Sequence, residues 1–307
     1  MWELEFFGYP FLELFYNFFL YSLIGWIYES CYVSIHKKRW VNRGFLNGPI
    51  IPLYGTAATV IYMAFWQYKE SYLLVFVGGI VLASTLEYIT SLVMELIFHA
   101  KWWDYSDRKL NLNGRICLAA SMLWGVLSII MIEIFQPFVH KLIITLPKQA
   151  AEYLGYFVFA IFTADVTVTV VHTLQLDKML SELDKLRQDI LEFLESTKIY
   201  ETKEEWKNKW NIHRFPEFAD HIRELIDENT DRLMEYNNRE GFELKNFRLD
   251  VEKHVRDYIG RFQRKSDRTS IIQKRLLKAF PNMHSVKKDA ALKDLREWLQ
   301  KHKRDMR

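Results

Sequence analysis

The residues best placed to do chemistry are carboxylic acids set in otherwise apolar stretches. Glu13, Glu29, Glu87, Glu95, Glu133 and Asp165 fall within runs that hold no Lys or Arg. A charged acid at the centre of a bilayer costs ~2.5–3.5 kcal/mol on insertion scales, so each needs a counter-charge, a proton or water. Glu13 and Glu133 lie near span ends, within reach of the interface. Glu29, Glu87, Glu95 and Asp165 are the informative ones.

Residues at helical spacing share a face, and the acids have polar neighbours on theirs. Ser84, Glu87, Ser91, Glu95 and His99 form one stripe, and Ser22, Gly25, Glu29, Tyr32 and His36 form a second. Asp165, Thr169 and His172 make a third, and Cys117, Ser121 and Ser128 a fourth. Lipid would leave such stripes unsatisfied, so they must face one another or water. This predicts a polar cleft open to the cytoplasm.

Two connecting segments repeat a chemistry. One reads Asn42-Arg43-Gly44-Phe45-Leu46-Asn47-Gly48-Pro49; the other contains Trp102-Trp103-Asp104-Tyr105-Ser106 and Asn113-Gly114-Arg115. Each sets Arg, Asn and Gly just before a helix, whose free N–H groups and partial positive charge favour an anion. Arginine adds a planar fork of donors. Three uses are open: an anion site, pairing of Arg43 and Arg115 with Glu29, Glu87 or Glu95 to close the bundle, or a cation or proton route along the acids. The candidate cleft comprises Glu29, Asn42, Arg43, Glu87, Ser91, Glu95, Asp104, Tyr105, Ser106, Asn113, Arg115, Asp165 and His172. No HExxH, GxSxG or metal-ligand spacing occurs, so no catalytic set, metal or cofactor is expected.

The elements that must position these residues are set by an uneven charge distribution. Residues 1–175 hold 11 Lys/Arg and 12 Asp/Glu, against 30 and 26 in residues 176–307. The first half has five apolar runs of the ~20 residues a span needs, at residues 11–35, 50–68, 72–98, 116–139 and 150–174. Trp40, Trp66, Tyr68, Tyr72, Trp102 and Trp103 flank them as interfacial anchors. Basic residues concentrate in the first connection (Lys37, Lys38, Arg39, Arg43) and the third (Lys101, Arg108, Lys109, Arg115). By the positive-inside rule the N-terminus is outside and the C-terminus cytoplasmic, in the plasma membrane. No basic n-region or small-residue cleavage site marks the start, so the first span is expected to be retained. Cys31 and Cys117 would then sit at cytoplasmic span ends as reduced thiols.

The fold class expected is all-α: a five-span transmembrane bundle (1–175) followed by an α-helical, partly coiled-coil cytoplasmic domain (176–307). His172, Leu176, Met179, Leu183, Leu186, Ile190 and Phe193 recur as a heptad seam continuing from the last span. Amphipathic helices are expected around residues 218–233, 244–262, 271–280 and 290–300. A homodimer through these cytoplasmic helices is a further expectation. Nucleic acid is not an expected partner, since the basic residues are balanced by acids. Basic clusters at Arg261-Arg264-Lys265-Arg268 and 301–307 would touch anionic lipid.

Tyr21-Ser22-Leu23-Ile24-Gly25-Trp26 with Glu29, Asn42-Arg43-Gly44-Phe45-Leu46 with Gly48-Pro49, Pro52-Leu53-Tyr54-Gly55, Trp102-Trp103-Asp104-Tyr105-Ser106 and Asn113-Gly114-Arg115-Ile116-Cys117-Leu118 with Ser121 and Trp124-Gly125 occur in order over residues 14–137. Together they resemble the bacterial CmpB-like family of type IV ABC-transporter permeases. The resemblance implies a multi-pass permease-like subunit. The sequence holds no G-x-x-x-x-G-K-[ST] phosphate loop, so such a subunit would need a separate ATPase partner. The rival expectations are an enzyme acting on a lipid head group from the cleft, and a scaffold or sensor recruiting partners through its cytoplasmic helices.

Overall fold

The computed structural model describes residues 2, 4–196 and 241–305. The chain is mainly helical and divides into two compact units: Met1–Leu174 with Arg275–His284, and Gln175–Lys274 with Ser285–Arg307. A ten-residue segment of the charged half therefore belongs with the apolar half.

In the first unit, α1 (Phe11–Lys37), α2 (Pro52–Phe65), α3 (Tyr72–Phe98), α4 (Leu118–Ile130), α5 (Gln136–Thr145) and α6 (Lys148–Ser196) follow in order. Among the described residues, four helices are long and apolar enough to cross a membrane: Phe11–Lys37, Tyr72–Phe98, Leu118–Thr145 and Lys148–Phe193. The run expected over residues 50–68 is a shorter helix of 14 residues, begun by Pro52 at its first turn and ended by a 3-10 turn at Trp66–Tyr68. Small antiparallel ladders, Glu5–Phe6 with Tyr9–Pro10 and Asn111–Leu112 with Ile116–Cys117, interrupt the all-helical pattern.

The Leu118–Thr145 helix is not uniform. Residues Met131–Phe135 form a π-turn, and Pro137 sits in the first turn of α5. Proline has no N–H to give the ladder, and its ring collides with the carbonyl four residues back, so the turn before it widens. Widened turns of this kind recur at functional sites.

The helices approach closely through small residues, as expected where lipid supplies no hydrophobic drive to associate. Ala57 and Ala83 are almost fully buried among Phe15, Phe19, Ile61 and Ile132. At Gly55 an added Cβ would overlap the Ser22 hydroxyl and the Phe18 carbonyl of α1. Gly55→Ala is therefore expected to force α1 and α2 apart and cost ~1–3 kcal/mol, as overpacking does. A lowered melting temperature of the purified protein in lipid nanodiscs is the readout.

Three expectations need revising or bounding. Trp102 is not an interfacial anchor: it is 3% exposed and packs against Phe45, Phe98 and Phe280, whereas Trp40, Tyr68 and Tyr72 are exposed. Glu13, in the first turn of α1, also has partners within the protein: it accepts a hydrogen bond from Tyr62 Oη (2.8 Å) and lies 2.9 Å from His140 Nδ1. The helix expected around residues 218–233 lies outside the described residues.

The second unit contains the continuation of α6, then α7 (Gly241–Asp267), part of α8 (Ile271–Ala279) and α9 (Asp289–Asp305). Leu176, Leu183, Leu186 and Ile190 of the heptad seam are buried within this unit. Glu182 pairs with Lys265, and Phe193 stacks on His254 at 4.0 Å, so α7 lies along α6. Phe262, Leu292, Leu295 and Trp298 complete the interior.

Asp294 is also buried there, and burial pushes its carboxyl up to about 6, with Arg187 opposing. The folded domain thus keeps a proton that the unfolded chain gives up near pH ~3.9, and stability falls as pH rises from ~4 to ~6 by ~3 kcal/mol. Asp294→Asn is expected to melt higher than the parent at pH 8 and to lose that advantage near pH 4. Thermal melts at the two pH values compare them.

Candidate functional site

Polar side chains of the first unit gather where the segments 38–51 and 99–117 meet. Phe45 packs against Phe98 at 5.5 Å and Trp102 at 5.0 Å, joining the two segments. Three clusters are built around this junction.

The first centres on Asp165 of α6. Its carboxylate accepts hydrogen bonds from the backbone N–H of Asn47 (3.0 Å) and Gly48 (2.8 Å), from the Asn47 amide (2.9 Å) and from the Thr169 hydroxyl (3.2 Å). One carboxylate thus fixes the bend that leads into α2. Asn47 is a hub: its amide also donates to Thr169, and its oxygen accepts from Arg275 Nε at 3.2 Å. Arg275 further donates to the carbonyls of Gly44 (2.8 Å) and Phe45 (2.6 Å). Burial lowers the pKa of Arg275, while Asp165 acts in the opposite direction. His172, two turns beyond Asp165, is half-buried.

The second cluster joins Glu29 and Glu87 through aromatic donors. Tyr54 Oη donates to Glu29 at 2.9 Å, Trp124 Nε1 to Glu87 at 2.9 Å and Tyr105 Oη to Glu87 at 3.3 Å. The Tyr54 and Trp124 rings lie 5.0 Å apart, so the two acids sit behind a shared aromatic wall. Burial raises the pKa of Tyr105, and the negative charge of Glu87 adds to it. Ser91, one turn on from Glu87, is 5% exposed, and Ser84 donates to Ser121 across the α3–α4 contact at 2.8 Å.

Arg43 stands at the edge of this cluster. Its Nε is 4.0 Å from Glu29, its Nη1 donates to the Ala279 carbonyl at 2.7 Å, and its guanidinium lies 4.3 Å from the Phe280 ring centre. Burial lowers its pKa, with Glu29 opposing. Asn42 accepts from Trp26 Nε1 at 2.8 Å and donates to the Asn47 carbonyl, which shapes the same segment.

The third cluster holds the other segment. Arg115 pairs with Glu95 at 2.7 Å, and Asn113 donates to Tyr88 Oη at 3.0 Å. Asp104 accepts from Ser106 and lies 2.9 Å from His284 Nε2. Burial of Asp104 raises its pKa, but hydrogen bonds from Ser106 and His284 outweigh it and hold the carboxyl down at about 2. Gly114 has φ +69°, and an added Cβ would overlap the Asp104 carboxylate, so only glycine serves there.

The structure therefore brings Glu29, Arg43, Glu87 and Tyr105 into one neighbourhood and places Asp165 in another. Glu95 and Arg115 form a pair, and Asp104, Ser106 and Asn113 shape the loop beside them. Both arginines are engaged by protein groups, as a bundle-closing role requires. Sequence reasoning missed Arg275, Phe280 and His284, which sit in a charged region with no distinguishing spacing. Asn47, Tyr54 and Trp124 were visible in the motifs but had no assigned role.

The family model described as "Putative ABC-transporter type IV" matches residues 16–170 of this chain. No curated protein and no solved structure matches it.

Proposed function

The chain belongs to this type IV ABC-transporter family, and on that premise we propose that it is the permease-like membrane subunit of a transporter powered by a separate ATPase. The observation that carries the reading is a family match covering the helices that enclose the Glu29 and Glu87 cluster. Structural acids at a lipid-exposed surface would not need aromatic donors from two helices and a connecting segment. An internal polar lining does.

In this reading the bundle crosses the plasma membrane five times, with the N-terminus outside and the second unit in the cytoplasm. Support for the fifth pass comes from geometry. The segments 38–51 and 99–117 touch through Phe45 and Trp102, yet α3 between them is 27 residues long. A 27-residue helix is ~40 Å long, and a return pass by α2 and its 3-10 turn would bring the segments to one side. The charge of both segments fits the cytoplasmic face.

Affinity purification of the full chain from native membranes in mild detergent, read by mass spectrometry, tests the assignment. A stoichiometric ATPase subunit, retained through size exclusion, is the expected result. A homogeneous complex containing no nucleotide-hydrolysing subunit, with no ATP hydrolysis in the fraction, would overturn it.

A further inference from the structure

A half-open cavity of about 160 Å³ with mostly apolar walls lies among α1, α2, α4 and the π-turn. Its walls include Tyr21, Tyr28, Tyr54, Trp124 and Phe135. The π-faces of aromatic rings carry negative charge density and attract cations, most strongly where water is excluded.

The polar ends of three of these rings are tied to groups that do not line the cavity. Tyr21 Oη donates to Gln136 at 2.8 Å, Tyr54 Oη to Glu29 and Trp124 Nε1 to Glu87, each at 2.9 Å. A ring whose O–H or N–H donates to a carboxylate is richer in electrons at its face. Two acids thus stand one hydrogen bond behind the wall. Glu29 has Arg43 at 4.0 Å, whereas the hydrogen bonds to Glu87 come from the neutral donors Tyr105 and Trp124. With both acids ionised, the neighbourhood carries one negative charge that Arg43 does not offset, in a medium of low dielectric constant, which an anion or neutral solute would not relieve.

We propose that this cavity binds an organic cation: an ammonium head, methylated rather than free, carrying an apolar tail. The volume is below the ~300–1,000 Å³ usual for whole-ligand pockets, so the head alone is enclosed. Tyr28, 42% exposed at the rim, marks where the tail leaves toward lipid. A methylated head has no N–H to satisfy, which suits walls whose donors already point to Glu29, Glu87 and Gln136. That this cation is the transported substrate rests on the transport reading above; its binding does not.

The test is equilibrium dialysis of the full chain in neutral-lipid nanodiscs against hexyltrimethylammonium and its uncharged tert-butyl isostere, with empty nanodiscs subtracted. Saturable binding of the cation, at least ~10-fold tighter than the isostere, is expected. Glu87→Gln and Tyr28→Leu should each weaken it several-fold, and Trp124→Leu should abolish it. Tyr28 is exposed, so its variant keeps the test valid if Trp124→Leu fails to fold. Equal uptake of cation and isostere, or cation binding unchanged in both Glu87→Gln and Tyr28→Leu, would overturn the proposal. Cation binding without an ATPase partner would refute only the transport reading; an ATPase complex that ignores the cation would refute only this one.

Discussion

Asp165→Ala is expected to be the most damaging single change in the membrane unit. It removes the acceptor for four hydrogen bonds, two of them from the backbone of Asn47 and Gly48. Hydrogen bonds to a charged acceptor are worth ~1.5–3 kcal/mol each, but those on one carboxylate are not additive. Asp165 is also partly exposed, so water would take up some of the freed donors. A net loss of ~2–4 kcal/mol follows, or a melting temperature lower by roughly 10 °C for a unit of this size. Asp165→Asn keeps one acceptor oxygen and should lose about half as much. Melting of the three proteins in nanodiscs measures this; an unchanged melting temperature for the alanine variant would mean the carboxylate does not hold the entry to α2.

Arg275→Ala is the second. Its guanidinium makes three directed bonds, to the Asn47 side chain and to the Gly44 and Phe45 carbonyls, with partial burial raising the cost of leaving those acceptors bare. Loss of ~2–4 kcal/mol of local stability is expected, appearing as faster hydrogen exchange in residues 44–48 and 275–284. Arg275→Lys should rescue only in part, because an ammonium lacks the fork that reaches two carbonyls at once. Since Asp165 and Arg275 meet on Asn47, the double variant should lose less than the sum of the singles. Exact additivity would show that Asn47 does not couple them.

The apolar helices were legible because hydropathy integrates over some twenty residues and tolerates local error. Length was less so for residues 50–68, where Pro52 sets the helix start and a 3-10 turn ends it, details that a hydropathy average does not carry. The pairs Arg43 with Glu29 and Arg115 with Glu95 were foreseeable, because an acid in an apolar run must find a counter-charge and few were in reach. Arg275 was not foreseeable. It lies 228 residues from Asn47 in sequence, among many arginines of similar context, and only the folded path of α8 selects it. The π-turn escaped notice because Met131–Phe135 reads as plain apolar helix, although Pro137 was the available signal. Trp124 and Tyr54 stood in the motifs without an assigned role, which emerged only once the acids behind them were located.

The aromatic wall also joins two polar pairs, α1 with α2 and α3 with α4, formed at a depth where such bonds are costly to leave unmade. Glu29 comes from α1, Tyr54 from α2, Glu87 from α3 and Trp124 from α4, so the cluster registers four helices at once. A substrate-binding centre and a structural joint can share one set of residues, which is why loss-of-function at Glu87 must be read beside a measure of folding.

The most direct test of the transporter assignment is ATP-dependent solute movement in inside-out membrane vesicles prepared from cells with and without the chain, read by untargeted mass spectrometry of the vesicle lumen. The account predicts a vanadate-sensitive, ATP-dependent change in at least one solute that disappears without the chain and returns with the intact protein. Identical ATP-dependent profiles in the two vesicle populations, with the chain verified as present and folded, would contradict it.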